Sequence, residues 1–400
     1  MTIYEKFGVR TIINVSGSST RVGGALMPPE VVEAMSKAAL SSVNMVELQA
    51  AASRIIADNT GAEAGYVTAG AASGLTLGAA AIMAGLDPGN MDRLPDTTGM
   101  KNGFIIAREH RNGYDHSIRL SGAKLVEVGM DEVGAGAGAR QVEAWEYEAA
   151  ITDDTAGIAY VATPTSQPPL PRVVEIAHAH GLPVLVDAAA ELPPISNLKH
   201  FIDQGADLVA FSGGKAIRGP QSTGILCGRR DLIASVALQH LDMDEHFDIW
   251  EPPADFIPKD KLVGIPRHGI GRGFKVSREE IVGLLTALKL FANSRSGPSM
   301  EELRGYLEYV VDGLSGLAVE PTVKVPDGEG FPTLHLRLDT DTLGRSAFEI
   351  SGVLKQGSPG IFVNEGSLRN DTLVINPMNL DQARTEALTE RFRAALSSSD

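Results

Sequence analysis

A chain of 400 residues, 43% hydrophobic and 21% charged, is long enough for a large core and about two domains. Its formal net charge of −15, without a long lysine or arginine block, argues against nucleic acid or an anionic membrane as the main partner, while leaving room for a small anion in a local basic pocket. A single cysteine, Cys227, rules out an intramolecular disulfide and suits a reducing compartment; with no signal-like start and no apolar run of bilayer length, a soluble, cytoplasmic protein is expected.

Residues 1–28 look extended and loop-like, with a Gly/Ser cluster at "VSGSSTRVGG", and form an N-terminal arm. A helix is predicted from "PPEVVEAMSKAAL", with Pro29 in its first turn, and a second from "VELQAAASRIIADNTG", closed by Gly61. Alternation follows: a strand at "AGYVTAG", a small-residue helix over 71–84, a loop at "GLDPGNMDRLPDTTGMKNG" and a strand at "FIIARE". Next come a helix-like "NGYDHSIRLSG", a strand "KLVEVG", and a Gly/Ala surface loop at Gly134–Arg140. The strand "GIAYVAT", the helix "RVVEIAHAHG" and the strands "PVLVDA", "DLVAFSGG" and "GILCG" complete a large domain over 29–265. Short apolar runs alternating with helices predict an α/β domain with a mostly parallel sheet covered on both faces.

From 266 to 400 the texture changes to a smaller α+β domain. It has helices at 278–294 and "EELRGYLEYVVDGLSGL", an alternating antiparallel strand "TLHLRLD", a strand "TLVINP" and a closing helix "LDQARTEALTERFRAALSS".

The chemistry gathers at the carboxyl ends of the predicted strands, where open α/β sheets bind ligands. Lys215 follows two glycines after an apolar strand in "FSGGKAIRGPQSTG", and Asp187 ends the apolar run "PVLVDA". Alone, the lysine is one that reaches solvent from a strand end. A carboxylate in Asp187's position is expensive unless a cation balances it. A third element is "VTAGAASG", where small residues lead from a strand into a helix whose free N–H groups can hold an anion. Together these three suit pyridoxal 5′-phosphate, which needs a lysine amine for a Schiff base, a carboxylate at its ring nitrogen and a helix start for its phosphate. Ser212, three residues before Lys215, adds a hydroxyl for the phosphate.

Several stretches carry a resemblance: "INVSGSSTRVGGALMPPEVVEAM", "VTAGAASGLTLGAAA", "RLPDTTGMKN", "EHRNGYDHSIRLSGAKLVEVG", "LVDAAAELPP", "GADLVAFSGGKAIRGPQSTGIL" and "GIGRGFKVSREEIVGLLTAL". On these, the chain resembles fold-type I pyridoxal-phosphate enzymes, and within them the group of bacterial L-seryl-tRNA(Sec) selenium transferase and D-glucosaminate-6-phosphate ammonia-lyase. "LPDTTGMKN" favours the ammonia-lyase branch. The acidic charge and the lack of a basic N-terminal module speak against grip on a tRNA.

The resemblance implies a seven-stranded, mostly parallel sheet in the large domain and at least a homodimer. It implies Lys215 as the Schiff-base lysine, Asp187 as the ring-nitrogen partner, and Gly70, Ala71, Ala72 and Ser212 as phosphate contacts. His110 is expected to stack on the ring, Ala189 to touch its other face and Gln167 to reach the 3′-oxygen. Arg272 and Arg218 are candidate anion binders, within the subunit or across a subunit boundary, and Arg21 stands where relatives have a small or apolar residue. His178 and His180, two apart on a helix, share no face and make no metal pair; Asp242–Asp248 is expected to be a solvated loop. Arg337, Arg345 and Arg369 sit in no carboxylate-clamp motif, which argues against amino transfer. The expected function is a lyase that turns a β-hydroxy-α-amino acid, sugar-derived or not, into a 2-oxo acid and ammonia. Racemisation, retro-aldol cleavage and a selenium-transferase-like protein without tRNA function stay open on the same scaffold, as does a cofactor-binding protein without turnover.

Overall fold

The computed structural model describes residues 2–130, 141–326 and 330–397. The Gly134–Arg140 stretch, expected as a surface loop, lies outside the described residues. In chain order the strands are β1 (Ile12–Val15), β2 (Ala64–Thr68), β3 (Gly103–Ala107), β4 (Lys124–Val128), β5 (Thr155–Val161) and β6 (Val184–Asp187). They continue as β7 (Leu208–Ser212), β8 (Gly224–Gly228), β9 (Val319–Lys324), β10 (Thr333–Leu338), β11 (Gly360–Val363) and β12 (Thr372–Ile375). The first three α-helices are α1 (Pro29–Ala39), α2 (Met45–Thr60) and α3 (Gly70–Ala84).

Two compact units result: Pro29–Ala292, and the residues up to Pro28 together with those from Asn293 onward. The sequence places the second boundary at 266. In the structure the following residues up to Ala292 stay with the large unit, because the helix Arg278–Ala292 packs on α1 and α2, and Arg278 donates to the carbonyls of Ala38 and Ala39 that end α1.

The large unit is built on a seven-stranded sheet in the order β2-β8-β7-β6-β5-β3-β4, parallel throughout except for β8, which runs antiparallel to both neighbours. β2, β3 and β8 are buried along their whole length, as helices on both faces require. α3 is apolar all round because it lies between the sheet and the helices Asp115–Leu120 and Arg230–His240. α2 begins with Asn44 accepting from the N–H groups of Val46 and Glu47, and ends at Gly61 with φ 72°. Cys227 is fully buried on β8. One stretch differs from its reading: inside the expected loop at 85–103 lies the helix Pro88–Arg93, started by the Asp87 side chain accepting from Gly89 and Asn90, with Pro88 in the first turn.

At the amino end of β7, opposite the end where the chemistry is expected, Asp207 is buried and saturated. It accepts from Val184 N–H at 2.8 Å and Arg229 Nη1 at 3.3 Å, and pairs with His178 Nε2 at 2.9 Å. Its own N–H returns a bond to Val184 O at 3.1 Å. His178 is thus used in the fold.

The other unit holds the antiparallel sheet β12-β10-β9 and the parallel pair β1-β11. Its core comprises inward residues of these strands and of the helices Met300–Gly313, Ala347–Gln356 and Gln382–Ser397, with Leu334, Leu336, Ile350, Leu388 and Phe392 fully buried. Arg21 pairs with Glu365 at 3.2 Å and lies over the Phe362 ring.

Candidate active site

Asp187 closes β6 and Lys215 sits in the turn between β7 and β8, so the sheet brings both to one edge from neighbouring strands. The turn is tight. Gly213 N–H donates to Thr223 O at 2.8 Å, and Gly219 N–H to Gly213 O at 2.8 Å. A side chain on Gly214 would stand 2.5 Å from Gln221 Cα, so the glycine before the lysine is what lets the two arms of the turn close.

Lys215 is half-buried, and burial pushes its amine below the ordinary lysine range, against the pull of Asp187 and Glu191. Asp187 is shifted the other way. Burial raises its pKa, while the Ala189 N–H donated to Oδ1 at 3.0 Å and the Lys215 charge oppose the rise. The carboxylate is therefore under-balanced as it stands, and a further cation at this edge would be stabilising.

Three strand ends converge beside them. Gly224, at the start of β8, is paired with Thr68 of β2 and Ser212 of β7. A Cβ on Gly224 would stand 2.5 Å from Ala71 N and closer still to the Gly70 carbonyl carbon, so β8 reaches the start of α3 only as glycine. α3 has no side-chain cap; Ala69 precedes it and Gly70 has φ 80°. The N–H groups of Gly70, Ala71 and Ala72 lack intrahelical acceptors by their position in the first turn, and Ser212 is in register with Gly224, which abuts Gly70 and Ala71. That is the local chemistry of an anion cradle.

His110 follows β3 and is buried, yet neither ring nitrogen has a hydrogen-bond partner among the described residues. Burial pushes its pKa down to about 4, so the ring is neutral at pH 7. It meets Tyr160 edge-on, 4.8 Å between centroids, and lines a cavity of about 280 Å³ with Asn112, Val161, Thr163 and Ser166. Val161 is in register with Asp187, so cavity and carboxylate are adjacent.

The structure thus brings Lys215, Asp187 and Ala189 together, gathers Gly70, Ala71, Ala72 and Ser212, and sets His110 two strands from Asp187. Gln167 is half-buried on the loop after β5, with no side-chain hydrogen bond among the described residues. Arg218 is buried in the lysine turn with φ 59°, an uncommon conformation for a non-glycine residue. Arg272 pairs with Asp242 at 2.9 Å, and its charge is felt by Tyr66 and His240, whose Tyr66 Oη–His240 Nδ1 bond is 2.9 Å. Asp242 is exposed, as expected of a solvated loop, and makes this ion pair from it. A larger groove of about 980 Å³, lined by Glu320, Arg337 and Asp371, contains none of the expected site residues.

The residues fit pyridoxal phosphate on four separate counts: a lysine with a depressed pKa, an under-balanced carboxylate, an uncapped helix start and an orphaned buried imidazole. Sequence reasoning missed Glu191, whose charge acts on Lys215 and which itself feels Asp187. Its signal was its place four residues after Asp187 in "VDAAAELPP".

Comparison with known proteins agrees with this geometry. The aminotransferase class-V family description matches residues 118–243. A D-glucosaminate-6-phosphate ammonia lyase of Salmonella typhimurium is 27% identical over 399 residues, covering 98% of this chain and 97% of that one. A 5′-C-glycyluridine monooxygenase-decarboxylase of a Streptomyces species is 29% identical over 407 residues, covering 98% and 92%. A solved D-glucosaminate-6-phosphate ammonia-lyase superposes with a TM-score of 0.81 at 25% identity, covering 99% of this chain and 98% of that one.

Proposed function

We propose that this chain, which carries the fold-type I pyridoxal-phosphate enzyme architecture, is a lyase converting a β-hydroxy-α-amino acid into a 2-oxo acid and ammonia. The observation that carries the reading is the opposed pair at one sheet edge: an amine that burial disposes to be free base, beside a buried carboxylate in want of a cation. When bound, pyridoxal phosphate supplies the electron sink that makes loss of the substrate Cα proton affordable.

The chain's own residues do the rest. Asp187 holds a proton on the ring nitrogen as its charged partner. The N–H groups of Gly70, Ala71 and Ala72, with the Ser212 hydroxyl, hold the phosphate. His110, neutral and without other partners, covers one ring face, and Ala189 the other. With the cofactor bound, Lys215 would take the substrate Cα proton on Nζ; burial, which lowers its pKa, favours the free amine that this step needs. The Cβ hydroxyl departs with a proton as water, and hydrolysis of the resulting enamine returns that water's equivalent and releases ammonia.

The name of the Salmonella relative states ammonia release, which supports the lyase reading. That of the Streptomyces relative states a monooxygenase-decarboxylase, so one assay must separate the two outcomes. Purified protein with pyridoxal phosphate is offered D- and L-β-hydroxy-α-amino acids, including sugar-derived ones. Ammonia and oxo acid in equal amounts, without oxygen uptake or carbon dioxide, is the expected result. Oxygen-dependent carbon dioxide release, dependence on an added oxo-acid acceptor, or Cα deuterium exchange without oxo acid would each replace the lyase assignment.

A homodimer and a cytoplasmic location belong to the same proposal. The dimer is supported by apolar residues left exposed on the N-terminal arm, Phe7 at 76% and Tyr4 at 59% among them. Among the described residues no helix is long and apolar enough to cross a membrane.

A further inference from the structure

The chain leaves Asp187 through a turn in which Glu191 N–H donates to Ala188 O at 3.1 Å, and Asn197 Nδ2 donates to Glu191 O at 2.7 Å. These bonds fix the Glu191 backbone at the edge that carries Asp187 and Lys215. Its side chain is half-buried, yet among the described residues its carboxylate accepts no hydrogen bond and has no cation within ion-pair distance. Other sheltered carboxylates of the chain are engaged: Asp115 by Arg111, Asp207 by His178 and Arg229, Glu365 by Lys355 and Ser351. The charges that act on Glu191 are those of Asp187 and Lys215, and burial with the Asp187 charge raises its pKa. A half-buried carboxylate beside a second carboxylate costs stability, and the charge that opposes this cost is that of Lys215.

We infer that Glu191 is the counter-ion of Lys215 during turnover, a positioning residue that balances the ammonium formed when Lys215 accepts a proton. The inference rests on the role given to Lys215 above. Asp187 also acts on the amine, but it is committed once a ring nitrogen binds to it. Glu191 is the carboxylate that remains. The Cα–H bond breaks, its electron pair stays with the substrate carbon, an N–H bond forms on Lys215, and Glu191 takes no proton. The charged groups around the amine are Asp187 on β6, Glu191 on the turn after it, and Arg218 on the lysine's own turn, whose N–H donates to Lys215 O at 3.0 Å. Of these, Glu191 alone is a carboxylate without a place in holding the cofactor.

The test uses the full chain freed of cofactor and pyridoxal phosphate as the probe. Capture requires the free amine, so its rate against pH, followed by the growing visible absorbance band, reports the Lys215 midpoint. Removing a nearby carboxylate lowers the pKa of an amine. Glu191→Gln is therefore expected to move the midpoint down by about half a pH unit or more. Glu191→Asp keeps the charge and is expected to fall between the two, and it carries the test if the Gln variant does not fold. In the loaded enzyme, Glu191→Gln is expected to slow Cα deuterium exchange about tenfold with little change in KM. A folded Gln variant with an unmoved midpoint, while wild type captures the probe through Lys215, overturns the inference and leaves the proposed function standing. Wild type that captures none, or Lys215→Ala that captures it equally well, overturns both.

Discussion

Replacing Asp187 with asparagine is expected to pull stability and activity in opposite directions. Without cofactor the carboxyl is buried, receives one N–H from Ala189 and feels Lys215, and burial prevails, so its pKa lies above the ordinary carboxylate value. A carboxyl that binds its proton more tightly folded than unfolded costs stability as pH rises from the unfolded value to the folded one, and the full cost remains above it. An amide is neutral throughout and still accepts from Ala189. The cofactor-free Asp187→Asn protein is therefore expected to match wild type at low pH and to equal or exceed it by up to about 1 kcal/mol at pH 7. In the loaded enzyme the same change removes the fixed charge facing the ring nitrogen. A preorganised electrostatic partner in a water-poor site is worth about 3 kcal/mol of transition-state stabilisation, which is roughly two orders of magnitude in turnover. Urea unfolding of the cofactor-free protein at several pH values, alongside ammonia release by the loaded protein, measures both. Turnover within a few-fold of wild type, or a cofactor-free variant weakened by well over 1 kcal/mol, would show Asp187 to be a structural residue and refute the reasoning.

Lys215→Ala is expected to abolish the visible band of the bound cofactor, and borohydride reduction of wild type to leave its mass adduct on the Lys215 peptide; an adduct on another lysine would be the contrary result. His110→Phe should retain cofactor affinity within about twofold, whereas His110→Ala should lose about fivefold, since an aromatic stack contributes roughly 1 kcal/mol; equal losses by fluorescence titration would remove the ring-stacking role. Gly224→Ala forces a methyl into the backbone at the start of α3 and should cost about 2 kcal/mol in thermal unfolding, together with phosphate-linked affinity. Light scattering should find at least a dimer, and full activity from a nanomolar monomer would contradict it.

The legible parts of this chain were those whose causes are local. Buried strands such as β2, β7 and β8 are short unbroken apolar runs, and α2 announces its end with Gly61. Lys215 and Asp187 stood out because a charge at the end of an apolar run needs a reason. The pairing of β1 with β11 was hidden because it joins Ile12–Val15 to Gly360–Val363, and nothing near either strand marks the other. The helix Pro88–Arg93 was masked by its Gly, Pro and Asp content, although Asp87 followed by Pro88 is itself a start signal. Glu191 escaped because a glutamate in "ELPP" looks like loop until the turn after Asp187 holds it at the edge where the Lys215 charge acts on it. The boundary at 266 followed a change in texture, but membership of a unit is decided by packing, and the helix Arg278–Ala292 packs on α1.

Asp207 does its work at the far end of the sheet from the chemistry. In a parallel pair, sliding β7 by one residue along β6 would turn every side chain to the opposite face. Asp207 resists that slip: its backbone N–H donates to Val184 O while its carboxylate is clamped by that same residue's N–H, by His178 and by Arg229. The phase between Asp187 and Lys215 is thus set like a vernier, with the zero mark at the amino ends of the strands and the scale read at their carboxyl ends. Side chains at the reading end are free to change over evolutionary time, and reaction outcome with them, without loss of alignment, so long as the zero mark holds.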